Sequence, residues 1–122
     1  MSLEKEESYW KSELVAYENF LKENPRANYE DFQPIKCTAF HLITKLFSEK
    51  LSLKNSYFLE PGCGSAMTLI YLAKLGAKCT GVDHSGNALR LAAKLIKEKK
   101  VQGSVEILKR DMYVMPFKDN SP

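Results

Sequence analysis

The sequence predicts a three-layer α/β fold: a truncated doubly wound parallel sheet, built β-α-β-α-β and preceded by two N-terminal helices. Three observations carry this expectation. Short apolar runs at 57–59, 78–82 and 105–108 alternate with helix-period segments at 66–75 and 86–100, the pattern of parallel strands joined by crossover helices. All six glycines fall between Gly62 and Gly103, so turn chemistry is confined to the second half. Each strand-to-helix passage carries its own signal, Pro61-Gly62-Cys63-Gly64 in the first and Asp83-His84-Ser85 in the second.

Taken in order, residues 3–23 read as an amphipathic helix. Leu3, Trp10, Leu14, Tyr17 and Leu21 recur at three-, four- and seven-residue steps among Lys and Glu. Asn24-Pro25 ends it, because proline disfavours a helical residue before it. Arg26 to Gln33 reads as a polar connection dotted with aromatics. Pro34 suits the first turn of a second helix whose apolar side is Cys37, Phe40, Ile43 and Phe47. The run Tyr57-Phe58-Leu59 is expected to be a strand buried on both faces. Residues 66–75 form a helix closed by Gly76, and Lys78 to Val82 a second strand ending at Asp83. Ser85 is a candidate N-cap for a helix over 86–100, which finishes in lysines against its negative dipole end. Val105 to Leu108 is a third strand ending near Asp111. Right-handed crossovers would place the strands in the order 3-2-1.

Bulk composition narrows the function classes. The chain has 122 residues, 44% hydrophobic and 27% charged, values of an ordinary globular domain. A net charge of +3 is too small to argue for a polyanion partner, and Lys94, Lys97, Lys99 and Lys100 read as a solvated helix end, so nucleic acid is not expected. No apolar run approaches the length of a membrane span. Cys37, Cys63 and Cys79 are odd in number and form no CxxC pair. That disfavours a disulfide framework or a zinc module and favours a reducing, cytoplasmic setting.

The chemistry concentrates where the first strand meets its turn. A strand, a glycine turn, a helix, and an acid at the tip of the next strand form the layout of a nucleotide-type cofactor site. Gly62 and Gly64 would let a ligand touch backbone, and the helix opening near Ala66 would point free N–H groups at it. Asp83 is placed to bond a ribose diol. A dinucleotide fingerprint would need a small residue where the chain has Met67, and Glu60 sets a carboxylate where two phosphates would sit. A nicotinamide-type enzyme is therefore a distant alternative, and a ligand with cationic groups suits Glu60 better. Cys63 has no visible base beside it and reads as a small residue packed in the turn. His41 reads as an exposed or packed side chain. The aromatic side of the first helix, Trp10 and Tyr17 with Tyr9, reads as core more than as a lid.

With these residues in place, the chain resembles the class I S-adenosylmethionine-dependent methyltransferases, a Rossmann-like family. The resemblance rests on Phe58-Leu59-Glu60-Pro61-Gly62-Cys63-Gly64-Ser65-Ala66, on Gly81-Val82-Asp83-His84-Ser85, and on Lys109-Arg110-Asp111-Met112. Met115-Pro116-Phe117-Lys118-Asp119-Asn120-Ser121 follows, similar to the family's "LPF…DNSF" stretch. It covers about residues 55–121. It implies a cofactor, S-adenosylmethionine, and a set of roles. Gly62, Cys63 and Gly64 would line its methionine portion and Glu60 would hold its amino end. Asp83 would bind the ribose hydroxyls, with His84 beside the adenine. Asp111 would accept from the adenine amino group, and Met112 would contact the ring. Ala66 departs from the family, many of whose members carry a third glycine there.

The resemblance also implies a fourth strand beside the first, which 112–122 does not supply. Residues 1–54 then read as a helical segment and 55–122 as the cofactor-binding half of a single, incomplete methyltransferase domain. The expected function is methyl transfer to an unidentified acceptor, with the chain inactive alone; the alternative is a non-catalytic cofactor-binding or assembly half-domain. Either way, the unpaired edge of strand 57–60 invites a homodimer or a partner chain.

Overall fold

The computed structural model describes residues 2–33 and 52–110, together with Lys45 and Glu49. Helix α1 spans Leu3–Glu23. The Ser2 hydroxyl caps it by accepting the Lys5 amide at 3.2 Å, and the Asn24 amide closes it on the Phe20 carbonyl at 2.9 Å. Trp10, Leu14, Tyr17 and Leu21 turn inward and Tyr17 is completely buried, whereas Leu3 stays exposed. The connection that follows holds a further element, α2 (Tyr29–Phe32). Asn28 and Asp31 form a reciprocal capping box at 3.0 and 3.1 Å. Tyr17 meets Tyr29 edge-on at 5.2 Å and Phe32 at 5.5 Å. Aromatic burial and capping thus convert a polar-looking connection into a helical turn. The second helix expected from Pro34, with Cys37, Phe40, His41, Ile43 and Phe47, lies outside the described residues.

Strands β1 (Tyr57–Pro61), β2 (Lys78–Asp83) and β3 (Val105–Lys109) pair in parallel, and counted from the β1 edge the order is β1-β2-β3. Tyr57 stands opposite Lys78, and Cys79 opposite Val105. Helix α3 (Met67–Lys74) joins the first two strands and α4 (Gly86–Glu98) the second two. The core lies on the sheet face carrying Phe58, Cys79, Val105 and Ile107, against Leu69 and Ile70 of α3 and Leu91 and Leu95 of α4. Two of the three expected layers are thus in view. Met67, at the position where a dinucleotide fingerprint would need a small residue, is buried in this core.

Two expectations are corrected. Strand β1 is not buried on both faces: Tyr57 is 62% and Leu59 41% exposed, while Phe58 and Glu60 are half-buried. Among the described residues its apolar run pairs with one neighbour, and its outward face meets solvent. The last helix ends at Glu98 and not at 100, because Lys100 adopts a left-handed φ of 60° as the chain turns into β3. Helix α1 packs along α4, where the Tyr17 hydroxyl donates to Glu98 at 2.7 Å. Glu30 of α2 accepts from Tyr71 of α3 at 2.8 Å and from Lys99 at 2.9 Å, joining three helical elements. Asp111 and Met112, with 113–122, lie outside the described residues.

Candidate cofactor site

At the C-terminal ends of β1 and β2 the backbone makes a tight turn. The Gly62 and Cys63 amides both donate to the Val82 carbonyl, at 2.7 and 3.1 Å, so the turn is stitched to β2. Three left-handed residues then alternate, Gly62 at φ 67°, Gly64 at 54° and Ala66 at 64°. Glycine takes this conformation freely, but alanine pays a steric penalty of about 1–2 kcal/mol. The turn therefore keeps a glycine-like backbone where the sequence departs from the family's third glycine. Ala66 also stands before the first residue of α3, and it offers no side-chain cap.

Asp83 is the organising side chain. It is 6% exposed, and its two carboxylate oxygens accept different amides at 2.9 Å, one from Gly64 and one from Ser85. One acid at a strand tip thus holds both strand-to-helix turns. Ser85 in turn caps α4 by accepting the Ala88 amide at 3.1 Å, as its position in the sequence suggests. Each Asp83 oxygen keeps acceptor capacity for a further donor.

Glu60 is half-buried at the end of β1, and burial pushes its carboxyl above the ordinary 4.5. A cation beside it would offset that penalty. Cys63 turns its thiol away from the pocket and under β2, so only its backbone can serve a ligand. A Cβ placed on Gly81 would come within 2.8 Å of the sulfur. Burial, then the Asp83 and Glu60 carboxylates, push the thiol up to about 12, which leaves it protonated and unsuited to nucleophilic chemistry.

The site is closed from a direction that the sequence does not announce. The first turns of α1 lie over the β2–α4 turn. Glu7 accepts the Ser85 hydroxyl and the Asn87 amide (3.0 Å), while the Asn87 side chain donates to the Glu7 carbonyl at 2.9 Å. These bonds hold the Glu7 carboxyl below its ordinary value. A carboxylate at the N-terminus of α4 also suits the helix dipole. Glu6 pairs with His84. Trp10 lies against the glycine turn: a Cβ on Gly64 would meet its Cζ2 at 2.9 Å. On the α2 side, burial pushes the Tyr29 phenol up to about 12. The result is a pocket of about 250 Å³ lined by Glu6, Trp10, Gly62, Gly64, Asp83 and His84. Glu6 and Glu7 read in the sequence as part of the polar face of an amphipathic helix, so sequence reasoning missed them. It weighed Trp10 and favoured a core role.

The pocket unites Gly62, Gly64, Asp83 and His84, with Glu60 nearby on β1. A larger hollow of about 390 Å³ lies at the opposite strand ends, around Tyr57, Lys78 and Gly103, away from the carboxyl ends where open α/β sheets bind ligands. Among the described residues, no group of three or more His, Cys, Asp or Glu could hold a metal ion, and no helix is long and apolar enough to cross a membrane.

The residues present fit an adenosyl sulfonium compound. Gly62 and Gly64 bring backbone to the pocket wall, a buried carboxylate stands beside them, and among the described residues the lining includes no Lys or Arg. The comparisons agree. A methyltransferase-domain family model matches residues 59–122, whereas no curated protein matches the chain. Among solved structures, the fold is similar to a SAM-dependent methyltransferase of Thiobacillus denitrificans in complex with S-adenosyl-L-homocysteine (25% identity, TM-score 0.52, 67% of this chain and 34% of that one). It is similar to a SAM-dependent methyltransferase of Aquifex aeolicus (23%, 0.51, 64% and 43%). It is also similar to the [4+2]-cyclase SpnF (24%, 0.53, 66% and 30%). The chain thus spans between 30% and 43% of the length of these structures. Family model, fold and site together assign the chain to the class I S-adenosylmethionine-dependent methyltransferases, whose cofactor is S-adenosylmethionine.

Proposed function

We propose that this chain carries the cofactor-binding half of a methyltransferase and presents S-adenosylmethionine to an unidentified small-molecule or other acceptor. The observation that carries the reading is the Asp83 carboxylate, buried at the tip of β2 and bonded to both strand-to-helix turns at the mouth of the pocket. When bound, S-adenosylmethionine supplies a methyl group on a sulfonium, already a good leaving group. The protein therefore needs to align and desolvate more than to activate. Asp83 would use its remaining acceptor sites for ribose hydroxyls. Gly62, Cys63 and Gly64 would offer backbone to the methionine portion, Glu60 would receive the ammonium, and His84 would flank the adenine. Asp111 and Met112 would complete the adenine contacts. Residues 55–122 form the cofactor half in this reading, and 1–54 contribute α1 as its cover.

The exposed Leu59 and Tyr57 of β1 support a partner strand on that edge, from a second copy or another chain. A non-catalytic cofactor-binding or assembly half-domain that pairs with another chain is the alternative reading. The buried free thiols of Cys63 and Cys79 suit a reducing, cytoplasmic compartment. The test is calorimetric titration with S-adenosylhomocysteine, with Asp83→Ala as the control. One-to-one binding that the substitution weakens at least ten-fold is expected. A folded chain that binds no S-adenosylhomocysteine would overturn the reading.

A further inference from the structure

We propose that Glu7 of α1 is a positioning residue for cofactor binding, acting on Asp83 through Ser85; this rests on the cofactor reading above. The Asp83 carboxylate is oriented by two amides, and one of them is that of Ser85, at 2.9 Å. Ser85 is completely buried, and all its polar groups are engaged. Its N–H goes to Asp83, its carbonyl accepts the Leu89 amide at 3.2 Å, and its hydroxyl oxygen accepts the Ala88 amide at 3.1 Å. The hydroxyl proton goes to Glu7, a residue 78 positions away.

Glu7 does more than accept that proton. The same carboxylate oxygen accepts the Asn87 amide at 3.0 Å, and the Glu7 carbonyl accepts the Asn87 side chain at 2.9 Å. Asn87 is engaged in turn by Arg90. The other Glu7 oxygen and the Lys109 ammonium of β3 both approach residue 86, since a Cβ on Gly86 would lie 3.6 and 3.4 Å from them. Groups from α1, α4 and β3 thus converge on the turn that follows Asp83. Hydrogen bonds to an ionised acceptor are about twice as strong as neutral ones. Without Glu7, the buried Ser85 hydroxyl keeps a proton with no acceptor. Ser85 must then rearrange to satisfy it, and the amide that orients Asp83 moves with it. Glu7 therefore acts on ribose hydroxyls that it does not touch, because a carboxylate fixed before binding need not be ordered by the ligand. Docking of α1 and cofactor affinity are linked, each favouring the other by the same factor.

The test measures dissociation constants of the full chain for S-adenosylhomocysteine and for its analogue lacking both ribose hydroxyls, in wild type, Glu7→Ala and Glu7→Gln. Wild type should prefer the ligand that carries the hydroxyls. Glu7→Ala should lower that preference roughly five-fold. Glu7→Gln, which keeps an acceptor but not the charge, should fall between the two. A substitution that only loosens α1 would weaken both ligands equally. Equal weakening, or no weakening, in a folded Glu7→Ala would therefore overturn the inference and leave the cofactor reading intact. If Glu7→Ala does not fold, a Glu7→Gln preference equal to that of wild type would overturn it instead. Wild type that binds both ligands alike would also sink the inference, because the hydroxyls would not meet Asp83. Failure of wild type to bind S-adenosylhomocysteine at all would defeat the underlying reading, and this inference with it.

Discussion

Strands β1 and β2 lie side by side in parallel register, yet their surroundings differ at almost every position. In β2 every residue after Lys78 is buried, whereas β1 alternates between exposed and half-buried side chains. The residues are not the cause, since β1 is the more aromatic of the two. β2 has a strand on each side and α3 packed on its core face, and its tip is further tied down by the Gly62, Cys63, Gly64 and Ser85 amides. β1 has one hydrogen-bonded neighbour among the described residues. Position in the sheet, more than hydrophobicity, decides which strand is structural frame and which is available surface. The cofactor pocket sits where the two regimes meet.

This contrast can be broken by substitution, and the tip of β2 should be the most sensitive point. Asp83→Ala leaves two buried amides without their acceptor, so denaturant unfolding should show a loss of about 2–5 kcal/mol, together with the lost cofactor binding. Gly81→Ala comes next. Its new Cβ would lie 2.8 Å from the Cys63 sulfur and 2.9 Å from a Leu69 methyl, and overpacking of this kind costs about 1–3 kcal/mol in melting or denaturant experiments.

A smaller effect should appear as a pH dependence at the α1 contact. Hydrogen bonds from Ser85 and Asn87 lower the Glu7 carboxyl below its ordinary 4.5. Ionised Glu7 therefore contributes stability that is fully present above that ordinary value and is lost as pH falls through its lowered one. Glu7→Gln should be less stable than wild type at neutral pH, and the gap should close on acidification. A gap that stays constant to low pH would mean that the carboxylate charge is not what docks α1. The smallest effect belongs to β1. Leu59→Ser on its exposed face should change stability by no more than about 0.5 kcal/mol. It should, however, weaken any association through that edge, which light scattering against wild type would reveal.

The parts of the fold that were legible in the sequence are those set by local chemistry. Ser85 caps α4, Gly76 takes a left-handed φ of 107° after α3, and Asn24 closes α1, because each involves groups only a few residues apart. The strand–glycine turn–strand-acid order likewise placed Gly62, Gly64, Asp83 and His84 in one pocket, since a parallel crossover brings consecutive strand tips together. The α2 turn was less legible, because its capping box is local but its burial depends on Tyr17 in another helix.

What the sequence determined by itself was therefore the alternation of elements, the turn chemistry between them, and the family that this chemistry marks. Only the tertiary structure decided that β1 shows Leu59 and Tyr57 to solvent and that Glu6, Glu7 and Trp10 cover the site. The reason is physical. A cap or a glycine turn is an interaction between near neighbours, readable in a window of a few residues. Burial and ligand-site closure depend on which distant surfaces meet, and His84 meets Glu6 across 78 positions of chain.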